Sequence, residues 1–158
     1  MTEETVRVLI VEDDEDDYIY TRHLLSADKG GRYDVRWADR LETAVSYLGS
    51  LQVDVVLLDL SLPDSFGWDT FTTVRHRAPD VPVILLTGVQ DEELGARAVH
   101  AGAQDYLVKG GLSTALLCRS IRYAIERRRA QDALRTAYRD LQGVIGQSKR
   151  DLDERSRQ

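Results

Sequence analysis

The sequence predicts an α/β protein built on a parallel sheet, followed by a long C-terminal helix. Two observations support this prediction. Short β-branched apolar runs alternate five times with amphipathic stretches of helical period, over short connections, which favours a parallel sheet with right-handed crossovers. Most of these runs are nearly continuous in apolar character, as expected of strands that are covered on both faces.

Five segments are predicted as strands, of which the second is the weakest. In chain order they are residues 6–11, 34–38, 53–58, 81–86 and 105–108. Helices are predicted between them over residues 18–27, 41–51, 68–77 and 92–100. Gly102 follows the last of these at a position where helices often end in a left-handed residue.

The pattern changes after residue 112, where one helical spacing continues to residue 152. Its first apolar residues suit a helix packed on the domain, and these are Leu116, Leu117, Ile121, Ala124 and Ile125. The later ones form a single stripe, made of Leu134, Tyr138, Leu141, Ile145 and Leu152. Because a helix with one apolar face is marginal alone in water, we expect this stripe to find a partner.

Composition and charge exclude several classes of protein. Of the 158 residues, 42% are hydrophobic and 30% are charged, which is typical of one globular domain with a short extension. Residues 1–110 carry 21 acidic and 10 basic side chains, whereas residues 111–158 carry 6 and 11. An acidic main domain argues against direct nucleic-acid binding.

No apolar run is long enough for a membrane span, and the single cysteine, Cys118, excludes an internal disulfide. The acidic N-terminal residues do not resemble a signal peptide, so we expect a cytoplasmic protein.

Side chains with chemical capacity lie where the predicted strands end. The first strand is followed by acidic residues 12–14, the third by Asp59 and the fifth by Lys109, while Thr87 follows the fourth. Each has an ordinary structural explanation, since acidic residues cap helices and an isolated lysine is usually solvated. In open parallel sheets, however, ligands bind at the carboxyl ends of the strands.

The combination indicates a magnesium-dependent phosphoryl-transfer site. If the first and third strands are neighbours, their carboxylates converge and repel one another unless a cation neutralises them. Mg²⁺ suits a site with one or two carboxylates and retained waters. A carboxylate, a cation, a hydroxyl and an ammonium group around one small space are the components that phosphoryl transfer needs.

Four motifs in order make the sequence resemble the receiver domain of two-component response regulators. The resemblance covers residues 5–128, about four-fifths of the chain, and rests on segments 8–14, 55–64, 82–88 and 101–109. It implies a flavodoxin-like, doubly wound five-stranded sheet of strand order 2-1-3-4-5. It also implies that the domain accepts a phosphoryl group from a histidine kinase or phosphotransfer protein. Residues 129–158 would then be a helical extension.

By the same resemblance, Asp59 is the phospho-acceptor. Asp13 and Asp59 would ligate Mg²⁺ together with the backbone carbonyl of Ser61, and Glu12 would act largely through water.

The other implied roles belong to the phosphoryl oxygens and to the switch. Lys109 would pair with those oxygens, Thr87 would hydrogen-bond one of them, and the small Gly88 would leave room for the incoming group. Tyr106 matches the aromatic switch residue, which turns inward as Thr87 moves. One departure is that Gly110-Gly111 follows the lysine where the family usually has Pro, so a looser connection is expected.

Two alternative interpretations of the function remain. An aspartate-nucleophile metal-dependent phosphohydrolase usually has a second Asp two residues after the nucleophile as general acid, but Ser61 occupies that position. A degenerate receiver would lack one of Asp13, Asp59 or Lys109, and all are present.

For the extension, a parallel coiled-coil homodimer is the hypothesis. The extension also resembles the helices that join receivers to other domains, so the chain could be part of a longer signalling protein.

Overall fold

The computed structural model describes residues 4–156 and contains seven strands within them. Five form one parallel sheet, and two short ones form a separate antiparallel hairpin. In chain order they are β1 (Thr5–Val11), β2 (Arg32–Ala38), β3 (Val55–Leu58), β4 (Ser61–Leu62), β5 (Ser65–Phe66), β6 (Val83–Thr87) and β7 (Asp105–Val108). The spatial order of the main sheet is β2-β1-β3-β6-β7, which confirms the predicted five-stranded topology.

The register of the sheet brings the strand ends to one edge. Val11 at the end of β1 pairs with Leu58 at the end of β3, and Leu58 pairs in turn with Leu85 of β6. Strand order reverses at β1, because β2 lies on one side of it and β3 on the other. The crevice beside β1 and β3 is therefore the switch point at which doubly wound sheets bind ligands.

Five α-helices connect and follow the strands within residues 4–156. They are α1 (Glu15–Ser26), α2 (Leu41–Ser50), α3 (Trp68–Arg77), α4 (Glu92–His100) and α5 (Thr114–Ser156). The prediction that the first helix starts at residue 18 was wrong, because the Asp14 side chain caps α1 by accepting from two backbone amides. Acidic side chains in the first turn then favour the helix. Gly102 after α4 has a φ of 112°, the left-handed conformation predicted from its position.

The core has one layer on each face of the sheet, which explains the continuous apolar runs. Along β1, Val8 and Ile10 belong to one layer, and Leu9 and Val11 belong to the other. The first layer is completed by buried residues of α1 and α5, which include Leu24, Leu25, Leu117 and Ile121. The second is completed by α2, α3 and α4, with Ala44, Phe71, Val74 and Ala98 among the buried residues.

The only cysteine of the chain lies in the first layer. Cys118 is 2% exposed, and burial raises the pKa of its thiol. The neighbouring Tyr33 donates a hydrogen bond of 2.8 Å to Asp28, whose carboxylate lies 3.8 Å from the Arg122 guanidinium. These contacts join the connection after α1 to strand β2 and helix α5.

The chain divides into two compact units, Met1–Ile125 and Glu126–Gln158. In the second unit, the described residues belong to α5 and expose their large apolar side chains: Leu134, Tyr138, Leu141, Val144, Ile145 and Leu152. The proposed domain boundary after residue 128 stays a prediction. In the described part of the chain, every helix is too short or too polar to cross a bilayer.

Candidate functional site

Two acidic side chains lie at the switch point, each directly after a strand. The Glu12 amide donates to the Ala38 carbonyl at 3.0 Å, and the Asp59 amide donates to the Val11 carbonyl at 2.9 Å. The sheet's hydrogen bonding thus continues into both residues and fixes their backbones. Glu12 is 3% exposed and Asp59 is 8% exposed, so the two carboxylates share a confined space at the sheet edge.

Lys109 bridges these carboxylates. It begins a short 3-10 turn after β7, and its ammonium nitrogen lies 2.8 Å from Glu12 Oε2 and 3.0 Å from Asp59 Oδ2. A third carboxylate, that of Asp17 in α1, lies 3.1 Å away. The lysine stem therefore spans the sheet from β7 to β1, and its single ammonium group contacts three carboxylates.

The pKa values reflect this crowding. Burial, together with the negative charge of Asp59, raises the pKa of Glu12 to about 8, although the hydrogen bond from Lys109 opposes the change. For Lys109, burial favours the neutral amine, but the hydrogen bond to Glu12 and the charges of Asp59 and Glu12 outweigh it and raise the pKa. The ammonium is therefore charged at neutral pH.

The acidic cluster suits a hard divalent cation. Glu12, Asp13 and Asp59 each offer a carboxylate oxygen, and these atoms all lie within 4.8 Å of one another. Asp13 is exposed while the other two are buried, so the cluster opens to solvent on one side. Oxygen donors on an open site fit Mg²⁺, which keeps several waters and takes one or two carboxylates.

Ser61 and Thr87 are placed differently with respect to this cluster. The Ser61 amide donates to Asp59 Oδ1 at 3.1 Å, which orients the carboxylate from the hairpin side. Thr87 ends β6 and is 1% exposed. Its hydroxyl donates to the Leu107 carbonyl at 3.5 Å, so the structure puts Thr87 at the same edge without bonding it to Asp59.

Gly88 and Tyr106 also lie near this edge of the sheet. A Cβ added at Gly88 would meet no atom within 4 Å, so this position is open. Tyr106 is half-buried in β7. Its ring lies directly against the α4 backbone, because a Cβ on Gly95 would come within 2.8 Å of the Tyr106 Cγ.

Two contacts of the site were not predicted from the sequence. Asp17 reaches Lys109 from the first turn of α1, a place where an acidic side chain is ordinarily explained by the helix dipole. Trp37 donates from its indole nitrogen to the Glu12 carbonyl at 2.8 Å and stacks on Tyr18 with ring centroids 4.4 Å apart. The cap of α1 is Asp14, one of the acidic residues after β1 for which capping is the ordinary explanation.

Chemically, the arrangement combines a nucleophile with charge neutralisation. Asp59 offers a carboxylate oxygen at the rim, and Lys109 places a positive charge beside it. The acids around them provide oxygen donors for a cation. A group with several negatively charged oxygens, transferred to the carboxylate, would meet positive charge on the side where its own charge develops.

Comparison with known proteins agrees with this geometry. The model of the response regulator receiver domain matches residues 8–121. The probable transcriptional regulatory protein SilR of Salmonella typhimurium is 37% identical over 117 residues, which are 72% of this chain. The regulatory protein LuxO of Vibrio cholerae serotype O1 is 38% identical over 66 residues, 42% of this chain.

A solved structure has the same fold. The CheY-like response regulator receiver domain protein of Methanospirillum hungatei JF-1 superposes with a TM-score of 0.70 at 23% identity, covering 81% of this chain and 99% of that one. The sequence relatives are longer, since the matched part spans 49% of SilR and 14% of LuxO.

Proposed function

The chain belongs to the response regulator receiver domain family of two-component signal transduction, and on that premise we propose that it is a phosphorylation-dependent switch. An Asp59 carboxylate oxygen attacks the phosphorus of a phosphohistidine on a histidine kinase or phosphotransfer protein. A P–O bond to Asp59 forms while the P–N bond breaks, and the leaving imidazole takes up a proton. The product is an aspartyl phosphate.

The observation that supports this proposal is the shared ammonium of Lys109, 2.8 Å from Glu12 and 3.0 Å from Asp59. Once Asp59 carries a phosphoryl group, the ammonium pairs with its oxygens. Asp13 and Asp59, with the Ser61 carbonyl, would hold Mg²⁺, and Glu12 would act mainly through water. The bound cation supplies neutralisation of the phosphoryl charge.

The proposed response of the switch involves Thr87 and Tyr106. The Thr87 hydroxyl exchanges its long hydrogen bond to the Leu107 carbonyl for one to a phosphoryl oxygen. The half-buried Tyr106 ring then turns inward, because Thr87 has moved toward Asp59. New charge at one site would thus change a surface formed by β7 and its neighbours.

Phosphoryl uptake tests the proposal directly. The full chain is incubated with Mg²⁺ and acetyl phosphate, and the intact mass is measured before and after acid treatment. We expect one acid-labile phosphoryl group in the wild type and none in Asp59→Asn. Asp54→Asn is the matched control, because Asp54 precedes the same strand and pairs with Arg7. Labelling that persists in Asp59→Asn, or an unlabelled wild type, contradicts the assignment.

A phosphohydrolase is the less favoured alternative. Ser61 lies where such enzymes carry a second acid, and it orients Asp59 through its amide. We therefore propose a phospho-acceptor that loses its own phosphoryl group slowly and does not turn over external phosphate esters.

For the helical extension we propose a parallel coiled-coil homodimer. Leu134, Tyr138 and Leu141 are 72%, 61% and 56% exposed, and their spacing of four and three residues continues to Ile145. Such a stripe matches the seam of a coiled coil. Gly143 and Gly146 weaken it, since each costs up to about 1 kcal/mol relative to Ala in a helix.

Light scattering tests the dimer, with and without a phosphoryl mimic. We expect the mass of a dimer for the wild type and a monomer for Leu141→Glu, because a charge in the seam opposes pairing. Thr136→Glu, exposed and outside the stripe, is the control and should remain dimeric. A monomeric wild type under both conditions contradicts the proposal.

The proposed setting is cytoplasmic, with a histidine kinase or phosphotransfer protein as the phosphodonor and no direct nucleic-acid contact. The acidic balance of residues 1–110 supports the last point, since nucleic-acid surfaces attract basic proteins.

A further inference from the structure

Helix α2 receives its N-terminal cap from a distant part of the chain. Arg40, which precedes the helix, makes no side-chain cap hydrogen bond. Instead the Leu41 amide donates to Asp64 Oδ1 at 2.8 Å, and the Glu42 amide donates to Asp64 Oδ2 at 2.9 Å. One carboxylate thus satisfies two of the donors that a helix leaves open, and its charge suits a helix N-terminus.

Asp64 belongs to the hairpin that directly follows the phospho-acceptor. Pro63 and Asp64 form its turn, between Leu62 and Ser65, which pair with each other. The hairpin is held at several points, since Leu62 is buried and the Ser65 and Thr70 hydroxyls lie 2.7 Å apart. The Gly67 amide closes the loop by donating to the Leu60 carbonyl at 2.7 Å. Its turn and its base are therefore fixed relative to each other.

The base of the hairpin is bonded to Asp59. The Ser61 amide donates to Asp59 Oδ1, and the carbonyl of the same residue is the one proposed to face the cation. The path from Ser61 to the α2 amides runs through the hairpin and then through the Asp64 carboxylate. This short arm connects the proposed phosphorylation site to the first turn of α2.

We propose that Asp64 is a positioning residue that couples the Asp59 site to helix α2. A divalent cation held at Asp59 and the Ser61 carbonyl would immobilise the hairpin and, through Asp64, the first turn of α2. Because such coupling is reciprocal, the anchoring of Asp64 on α2 strengthens cation binding in return. The inference rests on the proposed function for its cation and extends it to a residue outside the acidic cluster.

The test uses the full chain and Mg²⁺ alone, without a phosphodonor. Hydrogen exchange is followed at the Leu41 and Glu42 amides during a Mg²⁺ titration that also gives the dissociation constant. In the wild type we expect Mg²⁺ to slow exchange at both amides. Asp64→Ala should abolish that protection and weaken Mg²⁺ binding about fivefold, the lower end of typical coupling between sites.

Two further variants separate positioning from general weakening of the helix. Ser46→Gly destabilises α2 from an exposed position without touching the hairpin, and it should bind Mg²⁺ as the wild type does. Asp64→Asn keeps one acceptor oxygen, so its affinity should fall between those of the wild type and Asp64→Ala. If Asp64→Ala does not fold, the Mg²⁺ affinity of Asp64→Asn is compared with that of the wild type instead.

Several results would overturn the inference. Wild-type Mg²⁺ affinity in both Asp64 variants would remove the coupling while leaving the proposed function intact. An equal loss in Ser46→Gly would show that only the stability of α2 matters. A wild-type chain that binds no Mg²⁺ would overturn the coupling and the proposed function together.

Discussion

The two units of the chain use apolar side chains in opposite ways. In Met1–Ile125, apolar residues of helix and strand meet across the sheet, and Leu57 and Phe71 are at most 1% exposed. In Glu126–Gln158 the helical spacing is equally regular, yet Leu134 and Leu141 remain more than half exposed. Periodic apolar residues specify a helix in both units. Stability, however, comes only where a second surface removes those residues from water.

Truncating one apolar side chain in each unit gives the largest expected contrast. Phe71→Ala should lower the free energy of unfolding by about 3–5 kcal/mol, because it leaves a cavity in the core. Leu141→Ala should change it by less than about 0.5 kcal/mol at concentrations where the chain is monomeric. Urea unfolding measures both values. Similar losses in the two variants would show that the Leu141 side chain is covered in solution.

Buried and exposed acids should differ in their response to pH. Since the pKa of Glu12 is raised from 4.5 to about 8, this group stabilises the fold fully below pH 4.5, and that contribution is lost as pH rises through 8. In the presence of a chelator, stability should therefore fall between about pH 4.5 and about pH 8.

Two substitutions test whether Glu12 causes this slope of stability against pH. Glu12→Gln should flatten it, because the side chain no longer titrates. Asp140→Asn, an exposed position in α5, should leave it unchanged. Urea unfolding at several pH values provides the measurement, and an unchanged slope in Glu12→Gln would assign the pH dependence to other groups.

Replacing one glycine in each unit by alanine gives the smallest expected difference between the two units. A Cβ at Gly143 meets no atom within 4 Å, so Gly143→Ala should stabilise its helix by about 1 kcal/mol. A Cβ at Gly95 would lie 2.8 Å from the Tyr106 Cγ, so Gly95→Ala should gain nothing and should displace the ring. Helicity by circular dichroism and the Tyr106 ring resonances report the two outcomes. An undisturbed ring in Gly95→Ala would show that α4 can move to accommodate the methyl group.

Much of the fold was predictable because its signals are local. Helices α3 and α4 begin and end at the predicted residues, and β7 does as well. The third and fourth predicted strands correspond to β3 and β6, which start at Val55 and Val83, two residues later than predicted. For β6, Pro82 lies just before the strand and has no amide to donate to a neighbouring strand.

Other features depend on three-dimensional contacts that no spacing reveals. The hairpin of β4 and β5 has two residues in each strand, too few to show a period of two. Lys109 is reached by Glu12 from the end of β1 and by Asp17 from the first turn of α1, and the second contact depends on the phase of that helix. The Asp64 cap on α2 joins residues more than 20 positions apart.

The single buried thiol has a practical consequence. Only the thiolate reacts quickly with maleimides and similar reagents, and burial raises the pKa of the Cys118 thiol. A cysteine introduced at Thr136, which is exposed and outside the apolar stripe, would thus carry a fluorophore or spin label without first replacing the natural one. Distance spectroscopy between two such labelled chains would then report how the extensions align.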